Sequence, residues 1–152
     1  MTKLLLACDG GSRGNPGPSA YGFVVYQVKE DAGLTATVES PDSSGAVKVL
    51  EKCGNYLGIT TNNQAEYEGL IAGLKWVLEH EEGCELEIRM DSLLIVNQIK
   101  GLYKVKSAEL FPRWQVARGL LNKLSKWTIS HTYRSGNSLA DSLVNQALDS
   151  HK

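Results

Sequence analysis

The amino-acid sequence predicts an α/β chain built on one mixed five-stranded sheet with helices on both faces. Three observations lead to that fold class. The first third of the chain offers three apolar, aromatic or β-branched runs of strand length separated by turn-rich links, the pattern of an antiparallel meander. From residue 60 onward, helix-capping signals alternate with short apolar runs, so the first, fourth and fifth strands are joined by helical crossovers and lie parallel. Finally, 152 residues with 42% hydrophobic content suffice for one core and not comfortably for two, so residues 1–152 are expected to form a single domain.

The first strand is the apolar run Leu4 to Cys8, expected to end on Asp9. A short continuous apolar run bounded by turn residues reads as a strand buried on both faces. A loop of Gly10, Gly11, Gly14, Asn15, Pro16, Gly17 and Pro18 follows, where glycines let backbone amides approach a ligand. Tyr21 to Val28 is the second strand, and residues 47–57 (VKVLEKCGNYL) are the third. Between them, residues 29–46 are polar, with Gly, Ser and Pro, and read as a long connection.

Thr61 and Gln64 have capping-box spacing and open a helix over about 63–81, closed by Gly83. Residues 85–90 (ELEIRM) alternate as a fourth strand ending on Asp91, and Ser92 can cap a short helix through about Lys100. Residues 101–108 form a loop. Pro112 suits the first turn of another helix, with Ala117, Leu120, Leu121 and Leu124 as its face. Residues 127–132 (WTISHT) make the fifth strand, and Asn137 or Ser138 caps a final helix with Ala140, Leu143, Val144 and Ala147 on its apolar side.

The formal net charge of −1 is unevenly spread. Residues 100–126 carry seven Lys and Arg against Glu109 alone, whereas residues 79–91 carry six acids against Arg89 and His80. Three cysteines, Cys8, Cys53 and Cys84, show no CxxC spacing, which disfavours both a disulfide framework and a zinc site. They read as small buried residues of a reducing compartment. The apolar run before Cys8 is too short for the roughly 7–15 residues that a secretory leader needs, and no stretch reaches transmembrane length. A soluble cytoplasmic protein is expected, with no membrane partner.

Four acids carry the chemistry. Glu66 lies on the apolar stripe of Leu70, Gly73 and Val77, where a carboxylate is costly unless paired or metal-bound. Asp9 and Asp91 both follow strands expected to be parallel, at the carboxyl ends where open sheets build their sites. Asp141 lies one turn into the last helix, beside Val144, Ala147 and Leu148. Each alone has an ordinary explanation as a turn or helix-start acid. Together they converge on one rim of the sheet. Crowded carboxylates raise one another's pKa unless a cation neutralises them, and oxygen-only ligands select a hard cation, Mg²⁺ or Mn²⁺. Two such ions about 3.5–4 Å apart can clamp the attacking and leaving oxygens of a phosphoryl transfer.

Residues 9–22 (DGGSRGNPGPSAYG), 61–66 (TNNQAE), 90–92 (MDS) and 131–141 (HTYRSGNSLAD) resemble, in order, the four blocks of type 1 ribonuclease H, and the resemblance runs from about Leu4 to Leu148. It implies a ribonuclease H-like fold. It also implies hydrolysis of the RNA strand of RNA–DNA hybrids with 5′-phosphate and 3′-hydroxyl products, and Asp9, Glu66, Asp91 and Asp141 as the metal-binding catalytic acids. By the same resemblance Gly10, Gly11, Asn15, Asn62 and Asn63 contact substrate, reading the 2′-hydroxyl that distinguishes RNA from DNA.

For assistance to proton transfer or product release, His131 matches one part of the family and Arg134 another. The tract HTYRSGN favours Arg134, with His131 second and equally open to reading as a strand end. Many bacterial relatives carry a basic helical protrusion after the third block. Here only GLYKVKSA occurs, leaving Lys104 and Lys106 for the hybrid, and no N-terminal hybrid-binding domain is expected. Leu93 stands where relatives often place a polar residue. The protein is expected to act as a monomer. Two other classes are a non-catalytic nucleic-acid-binding relative, which would lose acids, and a polynucleotidyl transferase such as a junction resolvase, which would lack the Gly-Asn-Pro-Gly and Asn-Asn elements.

Overall fold

The computed structural model describes residues 2–28, 47–81 and 83–151; the connection read over 29–46 lies outside them. The strands are β1 (Lys3–Ser12), β2 (Gly17–Val28), β3 (Val47–Thr60), β4 (Glu85–Met90) and β5 (Lys126–His131), in the order β3-β2-β1-β4-β5. The β1–β2 and β2–β3 pairs are antiparallel, and the β1–β4 and β4–β5 pairs are parallel, as the meander-then-crossover pattern predicts. The helices are α1 (Asn62–His80), α2 (Leu93–Lys100), α3 (Phe111–Leu121) and α4 (Ser138–Asp149). No helix among the described residues is long and apolar enough to cross a membrane.

One expectation fails where it matters. The first strand does not end at Asp9. It runs on to Ser12, with Asp9 opposite Gly22, Gly10 opposite Tyr21 and Gly11 opposite Ala20. What ends at this point is the parallel partner, since the last β1–β4 pair is Cys8 with Met90. Asp9 is therefore held on its β2 side by a continuous ladder and stands clear of β4 on the other. The glycine-rich composition misled because glycine lowers strand propensity on average, yet here the missing side chains admit the helices.

That admission is visible on both faces. The Thr61 hydroxyl accepts from the Gln64 amide at 3.3 Å and Gln64 Oε1 accepts from the Thr61 amide at 2.9 Å, completing the predicted capping box and starting α1 one residue early. Leu70, Leu74 and Val77 then bury fully against Leu4, Leu6 and Cys8, each worth roughly 1.5–3 kcal/mol relative to exposure. A Cβ on Gly69 would meet the Asp9 carbonyl oxygen at 2.7 Å, and one on Gly10 would collide with the α1 backbone at Ala65 and Glu66. The helix thus lies directly on β1, which fixes Glu66 above Asp9. On the opposite face α4 packs on β2 and β3 through Ala140, Leu143 and Val144, close enough that Cβ atoms on Gly22 and Gly54 would strike its backbone at Ala140 and Leu143.

Smaller differences follow from local chemistry. α1 ends at His80 with Glu81 as its cap, and Gly83, at φ +91°, turns the chain beyond it without closing the helix. Ser92 caps α2 as predicted, its hydroxyl accepting from the Ile95 amide at 3.3 Å. β5 sits one residue earlier than expected, at Lys126–His131. A single 3-10 turn, Arg134–Asn137, precedes α4. Asn137 occupies the cap position but makes no side-chain cap bond. Its amide nitrogen donates instead to the Cys8 carbonyl at 2.8 Å.

Candidate functional site

Three elements bring the acids together. β1 supplies Asp9 just past its last parallel pair, the first turns of α1 supply Glu66, and the turn after β4 supplies Asp91. Their carboxylate oxygens lie within 4.8 Å of one another. α4, approaching from the other face, contributes Asp141 from its first turn. Asp141 stands outside that tight group but lines the same cavity of about 540 Å³, together with Gly10, Gly11, Ser12, Arg13, Asn62 and Asn145.

The electrostatics follow from this crowding. Burial of Asp9, then the neighbouring Asp91 and Glu66 charges, and then a hydrogen bond with the Asp141 side chain push its carboxyl up to about 9, against the opposing bond from the Gly10 amide. The adjacent Cys8 thiol is also raised, mainly by burial and further by Asp9 and Glu66, so it stays protonated and inert. An all-oxygen donor set of three or four carboxylates, without His or Cys, fits a hard divalent cation. Such an ion would supply the positive charge that the cluster calls for.

The other predicted residues divide. Gly10, Gly11 and Asn62 share the acid cavity, whereas Asn15, Asn63, Lys104 and Lys106 line a second one of about 450 Å³ with Leu94, Gln98 and Ser107. The two cavities flank the start of α1. Asn15 Oδ1 accepts from the Asn62 amide at 3.0 Å, and Asn62 Oδ1 accepts from the Ser12 amide at 2.7 Å and its hydroxyl at 3.0 Å. The glycine hairpin and the helix start are thereby locked together.

His131 ends β5 opposite Met90, is exposed, and packs edge-on to Tyr133 at 5.7 Å. The structure does not bring it into the acid cavity. The side chain of Arg134 lies outside the described residues. Leu93 is half exposed beside Ser92.

Sequence reasoning missed two residues. Arg13 lines the acid cavity and pairs with Asp149. Asn137, almost fully buried, ties the start of α4 to the residue before Asp9, and its Oδ1 has no hydrogen-bond partner. An Asn between a turn and a helix signals a cap; only the fold reveals the longer reach.

Residues 8–147 match the family described as reverse transcriptase-like. The chain belongs to this ribonuclease H-like family. Among the family's curated members it is similar to ribonuclease HI of Halobacterium salinarum, 38% identical over 141 residues, covering 93% of this chain and 62% of that protein. A bifunctional protein of Mycobacterium tuberculosis is 35% identical over 147 residues, covering 97% of this chain and 36% of the relative. The chain therefore spans between about a third and three-fifths of these relatives' lengths. Among solved ribonuclease H-like structures, LC11-RNase H1 in complex with an RNA/DNA hybrid matches with a TM-score of 0.80 and 33% identity, covering 97% of this chain and 98% of that one.

Proposed function

We propose that this chain is a type 1 ribonuclease H, a metal-dependent endonuclease that hydrolyses the RNA strand of RNA–DNA hybrids to 5′-phosphate and 3′-hydroxyl ends. The observation that carries this reading is the gathering of Asp9, Glu66 and Asp91 within 4.8 Å, with Asp141 hydrogen-bonded to Asp9 on the lining of the same cavity. The likeness to the hybrid-bound LC11 enzyme and to the Halobacterium ribonuclease HI supports the choice of substrate.

In this reading Asp9, Glu66, Asp91 and Asp141 hold two Mg²⁺ ions, or Mn²⁺ in their place. When bound, these ions supply Lewis acidity and neutralise charge at the scissile phosphate. The chain's own residues do the rest. Asp9 is fixed by the β2 ladder and Glu66 by α1 packing, so the acidic wall is set before substrate arrives. Gly10, Gly11 and Asn62 contact the RNA strand beside the acids. Asn15 and Asn63 lie on the other side of the α1 start, with Lys104 and Lys106 contributing phosphate contacts. Arg134, in preference to His131, assists proton transfer or product release.

Only residues 101–110 join α2 to α3, in keeping with the subgroup lacking the basic protrusion. Residues 1–152 act as a single domain, and the protein works as a cytoplasmic monomer.

The test is cleavage of labelled RNA–DNA hybrid, DNA duplex, RNA duplex and four-way DNA junction in Mg²⁺, Mn²⁺ or EDTA, beside Asp9→Asn. Hybrid alone is cut in its RNA strand, only with metal, and not by Asp9→Asn. Intact hybrid in both metals, equal cutting by the variant, or a junction cut in preference would each defeat the proposal.

A further inference from the structure

We propose that Arg13 is a phosphate anchor at the mouth of the acid cavity, and that Asp149 holds it in reserve until a nucleic-acid phosphate displaces it. The inference rests on the ribonuclease H reading above and adds to it a substrate contact and its built-in competitor.

Four carboxylates line this cavity, and among the described residues Arg13 is the one cation that does. Without metal, a polyanion brought to such a wall is repelled by each ionised carboxylate and attracted by that guanidinium. The backbone that carries it is fixed. The Arg13 amide donates to the Pro18 carbonyl at 2.8 Å, and the absent Cβ of Gly17 leaves room for the Arg13 carbonyl oxygen. The side chain is thus the part that can be redirected.

At present Nη2 lies 2.7 Å from Asp149 Oδ1, with the two side chains 43% and 58% exposed. An ion pair so open to water contributes little and exchanges readily. A phosphodiester offers the guanidinium the same paired acceptors as a carboxylate. Replacing one by the other therefore costs little and gains a contact to substrate.

Placement supports the exchange. Asp149 is the last residue of α4, the helix that bears Asp141 in its first turn. The separation is roughly 12 Å along the axis at 1.5 Å per residue. The phosphate taken by Arg13 is then not the scissile one but one displaced from it along the strand. The Asp149 carboxylate acts as a stand-in for that phosphate and discourages weak anions from occupying the guanidinium.

The test is equilibrium binding of a fluorescein-labelled RNA–DNA hybrid by anisotropy, in EDTA to prevent turnover, over a series of salt concentrations. Arg13→Ala weakens binding about fivefold and reduces the salt slope by about one. Asp149→Asn tightens binding about two- to fivefold. The double variant Arg13→Ala/Asp149→Asn behaves as Arg13→Ala alone, because removing the competitor is silent once the anchor is gone. Arg13→Lys restores the salt slope but not the full affinity, and its thermal melt shows that the hairpin is folded.

An unchanged affinity and slope for Arg13→Ala overturns the anchor. Equal tightening by Asp149→Asn with and without Arg13 overturns the exchange, leaving plain repulsion by an acid. Wild-type protein that neither binds nor cleaves hybrid removes the underlying functional reading instead. Wild-type binding with a silent Arg13→Ala sinks the anchor alone.

Discussion

The two ends of the parallel strands make opposite use of the same residue types. Toward the amino ends acids meet cations. Glu85 lies 3.2 Å from Lys126, and Glu87 lies 2.6 Å from Arg89 and 3.9 Å from Lys3. At the carboxyl ends acids meet acids, and Asp9 is driven up to about 9. Nothing about single residues separates Glu87 from Glu66; the company that the fold gives each of them does. An arrangement that destabilises the metal-free protein, yet is built from three separate elements, is a site rather than a surface.

The largest effect that can test this contrast is on catalysis. Glu66→Gln or Asp91→Asn lowers single-turnover cleavage of hybrid by about a thousandfold or more. That is the scale of several kcal/mol of transition-state charge stabilisation at 1.36 kcal/mol per tenfold. Glu87→Gln changes the rate by less than about twofold, its partly exposed pairs being worth at most about 1 kcal/mol to the fold. Comparable losses at both ends would dissolve the distinction.

The next effect is on stability against pH in the absence of metal. Because the folded Asp9 carboxyl sits far above its ordinary value of 3.8, the folded state keeps a proton that the unfolded chain has already released. Its contribution is complete below about pH 4 and is lost progressively as pH rises toward 9. Thermal melts in EDTA therefore fall across that window, and Mg²⁺ restores them by binding the folded state. Asp9→Asn flattens the fall and raises the metal-free melting temperature at neutral pH. A wild-type curve that rises from pH 4 to 9 in EDTA would contradict the crowding at this end.

The smallest of the three concerns the strut behind the acids. Asn137→Ala leaves the buried Cys8 carbonyl without its donor and costs about 1–3 kcal/mol in urea unfolding, partly offset by removal of the unsatisfied Oδ1. Because the strut ties α4 to β1, Mg²⁺ affinity measured by calorimetry falls as well. An unchanged affinity would reduce Asn137 to a packing residue.

Much of this was legible from local chemistry. The capping box of Thr61 and Gln64, the alternation of residues 85–90 and the Ser92 cap each depend on neighbours a few positions away, and each was recovered within a residue or two. The convergence of Asp9, Glu66 and Asp91 was legible because topology puts strand ends on one rim. What stayed hidden depends on distant parts of the chain. Gly10 reads as a loop residue until α1 is laid across it. Asn137 reads as a cap until Cys8 is seen beneath it. Arg13 reads as one more hairpin cation until the end of α4 arrives opposite. His131 enters through the family resemblance and its offset from Asp141, and the structure leaves it exposed at the end of β5, outside the lining of the acid cavity.

The continuation of β1 through Asp9 to Ser12 has a kinetic consequence. Amide hydrogens engaged in a ladder exchange with solvent only when that part of the fold opens, and central strands open with free energies near that of global unfolding. In the glycine segment paired to β2 the Gly10 and Ser12 amides turn instead to the Asp9 carboxyl and to Asn62 Oδ1, so only the alternate amides that face β2 share the slow exchange of a central strand, although the composition is that of a loop tip. The strand bearing Asp9 is therefore a fixed wall of the cavity on its β2 side.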